Sequence, residues 1–183
     1  LVRPLLSFLG LVIAFGAAIW VASVGQPARL TDSDGERVYV VDGDTLRIGD
    51  RTLRLNGMDA VELRQLCRNA DGSSWACGLE ARDALTEMVA AEGLVCNARG
   101  SAGYGRASGD CRTNASTSLA ADLVTQGWAV GDKHQSLVRR LVSDGKFAAE
   151  EAEAKAAKRG IWRGTFDHPV VWRSTHPREQ EAD

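Results

Sequence analysis

Val38-Tyr-Val-Val-Asp-Gly-Asp-Thr-Leu-Arg-Ile48, then Gly49-Asp50, then Arg51-Thr-Leu-Arg-Leu-Asn-Gly-Met-Asp-Ala-Val-Glu62 is the stretch that decides the fold. Its valines, leucines and isoleucine alternate with polar residues, the period of strands with one buried face, and Gly49-Asp50 marks a tight turn between two of them. An antiparallel meander is expected. Asp42 and Asp44 flank Gly43 at a strand end, so their carboxylates can converge, and Asp59 and Glu62 follow the strand Leu53 to Asn56. Carboxylate and carbonyl oxygens of this kind suit a hard cation such as calcium. The plain reading of Asp-Gly-Asp alone is a turn, in which Asp caps and Gly supplies positive φ.

Downstream, Leu63 to Ser74 turns at Asp71-Gly72, and Cys77 to Ala91 places Leu79, Ala81, Leu85, Met88 and Val89 at helical spacing before Glu92-Gly93 ends it. Leu94 to Ala98 reads as a short strand, Gly100 to Gly105 as a crossing and Arg106 to Cys111 as the next strand. Asn114 to Ser118 offers caps for a helix through Leu119, Leu123 and Val124, closed by Gly127. Trp128 to Val130 is a short apolar strand. Leu137, Val138 and Leu141 mark one helical segment; Phe147, Ala148, Ala152 and Ala156 mark another, stopped by Gly160, with Ile161-Trp162 folding back onto the core. Glu150, Glu151 and Glu153 precede Lys155 and Lys158 at spacings that favour intrahelical pairs. Strands first, then helices alternating with two more strands, give an α+β domain whose strands can close as a small barrel.

Upstream, Leu5 to Val24 is an uncharged run of 20 residues, long enough to cross a bilayer core of ~30 Å as a helix. Residues 1–25 are therefore a transmembrane anchor or a signal segment. The length of the run favours an uncleaved anchor, and Val21-Ala22-Ser23 is the cleavage site of the alternative. Residues 26–36 read as a linker, 37–164 as the folded domain and 165–183 as a C-terminal tail in which Trp172 can dock. Export fits the four cysteines, which form two sequence-local pairs, Cys67 with Cys77 and Cys96 with Cys111. A zinc site is the rival, but neither pair has Cys-x-x-Cys spacing and the histidines lie elsewhere, so disulfides are expected.

Taken together, Asp42-Gly43-Asp44-Thr45, Arg54 five positions before Asp59, Glu62 three after it, Tyr104-Gly105-Arg106, and the closing Ala-Glu-Ala-Lys-Ala-Ala-Lys-Arg-Gly-Ile-Trp162 resemble the signature of the staphylococcal nuclease (thermonuclease) family over about Val38 to Trp162. The resemblance implies a five-stranded OB-type β-barrel with about three helices, an architecture that often binds nucleic acids. It also implies a calcium-dependent endonuclease that hydrolyses DNA or RNA at the 5′ P–O bond and leaves 3′-phosphate ends. Asp44 and Asp59 would hold Ca²⁺ with the main-chain oxygen of Ala60, and Asp42 would act nearby or through water. Glu62 would serve as general base, Arg54 and Arg106 would clamp the phosphoryl oxygens, and Tyr104 would contact substrate.

The sequence departs from the family pattern in three places. Val61 stands where proline is usual, which frees φ and is expected to loosen the loop that holds Glu62. Gly103 precedes Tyr104 where a basic residue can occur, and Gly131-Asp132-Lys133 follows Val130 where tyrosines are common, removing one stacking route for bases or sugars. A net charge of −2 and a pI near 6.0 exclude global electrostatic attraction to nucleic acid, leaving any steering to the local field. An exported OB-type binding module with little catalysis is the alternative function. With the anchor uncleaved, the protein would be a single-pass inner-membrane protein with its domain on the periplasmic side; cleaved, it would be periplasmic or secreted. No protein partner is implied.

Overall fold

The computed structural model describes residues 28–31, 36–100, 106–132 and 145–177. The apolar segment 1–25, Tyr104 and the helical segment expected around Leu137 lie outside the described residues. Among those described, no helix is long and apolar enough to cross a membrane.

The meander forms as its alternation requires. β2 (Val38–Asp42), β3 (Thr45–Ile48) and β4 (Arg51–Leu55) pair antiparallel in sequence order, with Leu46 opposite Leu53 and Thr45 opposite Arg54. Gly49 takes φ +59° in the turn between β3 and β4. Leu46, Ile48, Leu53 and Leu55 are buried on one face, so Arg47 and Arg54, which alternate with them, project from the other. β5 (Met58–Ala60) follows directly.

Next comes a small hairpin of β6 (Cys67–Asn69) and β7 (Ser74–Trp75), turning at Asp71-Gly72, and then helix α1 (Cys77–Ala90). β8 (Val95–Arg99) and β9 (Ala107–Arg112) pair antiparallel with Cys96 opposite Cys111. Both expected disulfides are present, Cys67–Cys77 and Cys96–Cys111. α2 (Leu119–Thr125) starts at Ser118, whose hydroxyl accepts from the Ala121 amide at 3.2 Å. β10 (Ala129–Gly131) pairs with β5, and α3 (Ala148–Ala156) leads through a 3-10 turn (Gly160–Arg163) into β11 (Gly164–Thr165) and α4 (Pro169–Thr175).

The main sheet curls into a half-barrel of six strands in the order β1-β8-β9-β4-β3-β2, rather than five, and four helices are described rather than three. The sixth strand, β1 (Ala28–Thr31), comes from the stretch expected to be a linker and pairs antiparallel with β8. Its burial alternates weakly, which is why composition alone reads it as a loop. The pairing of β4 with β9 is parallel, Arg54 standing opposite Ser108, so the sheet is mixed rather than wholly antiparallel. The stretch 165–183, expected to be a tail, contains part of β11 and all of α4.

One core joins the meander to α1 through Leu85, to β8 and the residue before it through Cys96 and Leu94, and to α2 through Leu119, Leu123 and Val124. A second, smaller cluster gathers Val61, Cys67, Cys77, Ala81, Val130 and Ile161 behind the acidic loop. Glu151 forms the expected ion pair with Lys155, but it is itself buried and accepts the Gly131 amide at 2.7 Å, tying α3 to β10. That second role is tertiary, and helical spacing has no way to signal it.

Candidate active site

The acids meet because three separate pieces of backbone are forced together. The β2–β3 turn lies against β5 and α1 so closely that a Cβ on Gly43 would stand 2.8 Å from the Ala60 Cβ and 3.0 Å from the Ala81 Cβ. Within that turn Asp42 Oδ1 accepts the Asp44 amide at 3.0 Å, an Asx turn that aims the Asp44 side chain inward. Leu55 donates its amide to the Asp44 carbonyl at 2.8 Å, which sets Asp44 beside Arg54.

Asp44 is almost fully buried, 2% exposed, and both of its oxygens are occupied. Oδ1 accepts from Arg54 Nη1 at 2.6 Å and from the Thr45 hydroxyl at 2.8 Å, and Oδ2 accepts the Ala60 amide at 3.2 Å. The other arm of the Arg54 guanidinium, Nη2, donates to Asp59 Oδ1. One planar fork thus bridges two carboxylates from residues fifteen positions apart, a geometry that lysine does not provide.

Glu62 is partly buried just beyond β5. Its amide donates to Gln65 Oε1 at 3.1 Å, and the Gln65 Nε2 reaches the Asp167 carbonyl at 2.6 Å. Gln65 is itself fully buried, and Val61 packs in the second core cluster. The loop that the missing proline was expected to loosen is therefore pinned by apolar burial on one side and an amide clamp on the other. The Glu62 backbone also lies directly on Gly78 at the start of α1.

Of the predicted residues, the structure brings together Asp44, Asp59, Glu62 and Arg54, with Asp42 acting on the Asp44 backbone. Ala60 meets Asp44 through its amide. Arg106 stands at the head of β9, half-buried, on the same side of that strand as Ser108, the partner of Arg54. The sequence reading missed Arg173. Its Nη1 and Nη2 fork Asp59 Oδ1 and Oδ2 at 2.9 and 2.8 Å, and Nη1 also donates to Glu62 Oε1 at 2.7 Å. The two carboxylates hold its pKa above the ordinary arginine value, working against burial. Beside this cluster lies a cavity of about 320 Å³ lined by Arg54, Asp59, Ser108, Asp132, Val170 and Arg173.

A sequence profile described as staphylococcal nuclease homologue matches residues 52–164. The chain belongs to that family. Arg54, Asp59, Ala60, Glu62 and Arg106 of this staphylococcal nuclease homologue lie within the matched span, and Asp42 and Asp44 lie just before it. The chain is also 32% identical over 135 residues to a succinoglycan biosynthesis protein, ExoI, from Rhizobium meliloti (strain 1021), an alignment covering 73% of this chain and 67% of the relative.

Among the described residues, no three or more His, Cys, Asp or Glu side chains are grouped so as to hold a metal by themselves. The donor set of this staphylococcal nuclease homologue still fits a hard cation. Asp44 and Asp59 offer only oxygens, they converge closely enough to share one guanidinium, and Asp44 is buried with a single counter-charge. A cation held there would complete its shell with main-chain oxygen and water.

Burial pushes the Asp44 carboxyl up to about 7, the Arg54 charge pulling it down and Asp42 pushing it further up. The folded chain therefore binds a proton that the unfolded chain has released. Asp44's contribution to stability is full below its ordinary value of 3.8 and is lost as pH rises through about 7. In chelator, the melting temperature of Asp44→Asn is expected to gain steadily on the wild type as pH is raised from about 4 to 8. Parallel pH profiles would contradict this assignment.

Proposed function

We propose that the protein is a calcium-dependent nuclease that hydrolyses phosphodiester bonds of DNA or RNA at the 5′ P–O bond, leaving 3′-phosphate ends. The observation that carries this reading is the single Arg54 fork across Asp44 and Asp59, with Glu62 on the next loop. Three acids and an arginine gathered beside one cavity make an electrostatic site, not a packing motif. The rhizobial relative is named for succinoglycan biosynthesis, so the nucleic-acid substrate rests on family membership and on these residues.

Asp44 and Asp59 would hold the ion, with the Ala60 carbonyl, and Asp42 keeps Asp44 oriented through its amide. Calcium, when bound, supplies positive charge to a phosphate oxygen and makes a neighbouring water more acidic. Glu62 takes the proton of the attacking water at a carboxylate oxygen. Arg54 and Arg106 approach from adjacent strands and donate to the phosphoryl oxygens as negative charge builds in the transition state. The cavity lined by Ser108 and Asp132 receives the nucleotide beside the reacting phosphate, and Tyr104, as the family resemblance implies, would contact the substrate.

Two disulfides are consistent with an oxidising compartment, supporting a periplasmic or extracytoplasmic domain held by residues 1–25 or released from them. The test is digestion of single-stranded DNA, duplex DNA and RNA by the purified chain, with product ends read by mass spectrometry. Fragments with 3′-phosphate ends support the reading. Fragments with 5′-phosphate ends contradict the assigned bond, and tight binding without cleavage by the folded protein would make it a nucleic-acid-binding module.

A further inference from the structure

Arg173 occupies the oxygens that the proposed reaction needs. A carboxylate oxygen has about two lone pairs to offer, and Asp59 Oδ1 already accepts from both Arg54 and Arg173. Oδ2 accepts from Arg173, as does Glu62 Oε1. A divalent cation on Asp59 would compete for those lone pairs and would stand next to a guanidinium of like charge. Glu62, bound to the same guanidinium, has one oxygen engaged where a water would be held.

The way α4 is attached makes displacement feasible. Its base is fixed: Pro169 is buried, the Asp167 carbonyl accepts from Gln65, and Phe166 packs edge-on against Trp162 with ring centroids 4.9 Å apart. The helix itself is shallowly seated. Val170 and Val171 are 52% and 53% exposed, and Trp172 stacks on His176 of its own segment at 4.3 Å. The forked ion pairs of Arg173 are what bring the helix onto the acids, closing one side of the cavity they share.

We propose that Arg173 is an internal competitor of the divalent cation: α4 covers the site through Arg173, and a cation engages Asp59, and a water Glu62, only when Arg173 has left them. The affinity of the site for calcium is then set by this arginine as well as by the acids. This rests on the reading of Asp44 and Asp59 as calcium ligands.

Calcium binding to the full chain, purified in detergent, is measured by titration calorimetry for the wild type, Arg173→Ala, Arg173→Lys and Arg64→Ala. Hydrogen exchange of the α4 amides is followed with and without Ca²⁺. Arg173→Ala is expected to bind calcium about tenfold more tightly, a typical coupling between competing sites. Arg64 is exposed and two residues from Glu62, so its removal controls for charge alone and should leave the affinity within about twofold. In the wild type, calcium should speed exchange of the amides that bond to His168 and Trp172 carbonyls. Equal affinities for all four proteins, or α4 exchange unmoved by calcium, would overturn the competitor and leave the cation site standing. Absence of calcium binding in every folded variant would remove the cation reading and the competitor with it.

Discussion

Arg54→Ala will lose at least about 10²- to 10³-fold in kcat/KM for phosphodiester cleavage, the cost of removing one preorganised donor to a developing oxyanion. The loss should exceed that of a simple phosphate contact, because Arg54 also holds Asp44 and Asp59 together. Without it, Asp44 is a buried carboxylate whose remaining donors are the neutral Thr45 hydroxyl and Ala60 amide. Stripping a buried charge of its partner typically costs about 3–5 kcal/mol, and Asp44 can escape part of that by taking up a proton. The destabilisation should therefore be small near pH 5 and grow as pH rises past about 7, where wild-type Asp44 ionises beside Arg54 while the variant, without that lowering charge, still holds its proton. Arg54→Lys keeps the charge but cannot span both carboxylates, so it should recover stability more than activity. Thermal melts at two pH values beside steady-state kinetics separate the two roles. Full activity in Arg54→Ala would remove Arg54 from the reaction.

The second large effect is expected at a residue that touches no substrate. A Cβ on Gly78 would overlap the Glu62 carbonyl oxygen and come within 2.7 Å of the Leu63 carbonyl oxygen. Both obstacles are main chain, so no rotamer change relieves them. α1 cannot simply back away, because Cys77 at its start is bonded to Cys67 and the Gly78 amide donates to the Gln65 carbonyl at 3.2 Å. Gly78→Ala should lower stability by about 1–3 kcal/mol, the usual range for overpacking. It should also push Glu62 off its position and reduce kcat by about 10²-fold, as a misplacement of about 1 Å can. Calcium affinity should change less, since Asp44 and Asp59 lie on other segments. A variant with wild-type kcat would show that the Glu62 loop tolerates movement.

What was legible in the sequence was local. The meander announced itself because Leu46, Ile48, Leu53 and Leu55 carry a period of two between turn residues, and the two disulfides join neighbours in the chain. The acids, Arg54 and Arg106 were found as a pattern, and four of these side chains share one cluster in the fold. The parallel pairing of β4 with β9 left no trace in the sequence, since a parallel partner arrives from a distant segment with no connecting turn to mark it. β1 is short and weakly patterned, and its identity as a strand depends on β8 being there to receive it. Arg173 was invisible for a similar reason. It lies 114 residues from Asp59, and nothing near it in sequence marks an arginine that will face acids. The helix that carries it did leave a signal: Pro169 at a helix start, followed by Val170, Val171 and Trp172. Gln65, which clamps the Glu62 amide, reaches Asp167 across 102 residues and was equally unreadable.

Cleavage of nucleic acid by the purified chain in calcium and in chelator, beside Glu62→Gln, tests the central claim most directly. Glu62→Gln keeps the shape of the side chain and the Gln65 clamp on its amide, but it cannot accept a proton at neutral pH. Calcium-dependent cleavage by the wild type, abolished by chelator and reduced at least about 10²-fold in the variant, is the predicted result. Cleavage that persists in chelator, or that Glu62→Gln carries out at the wild-type rate, would contradict it.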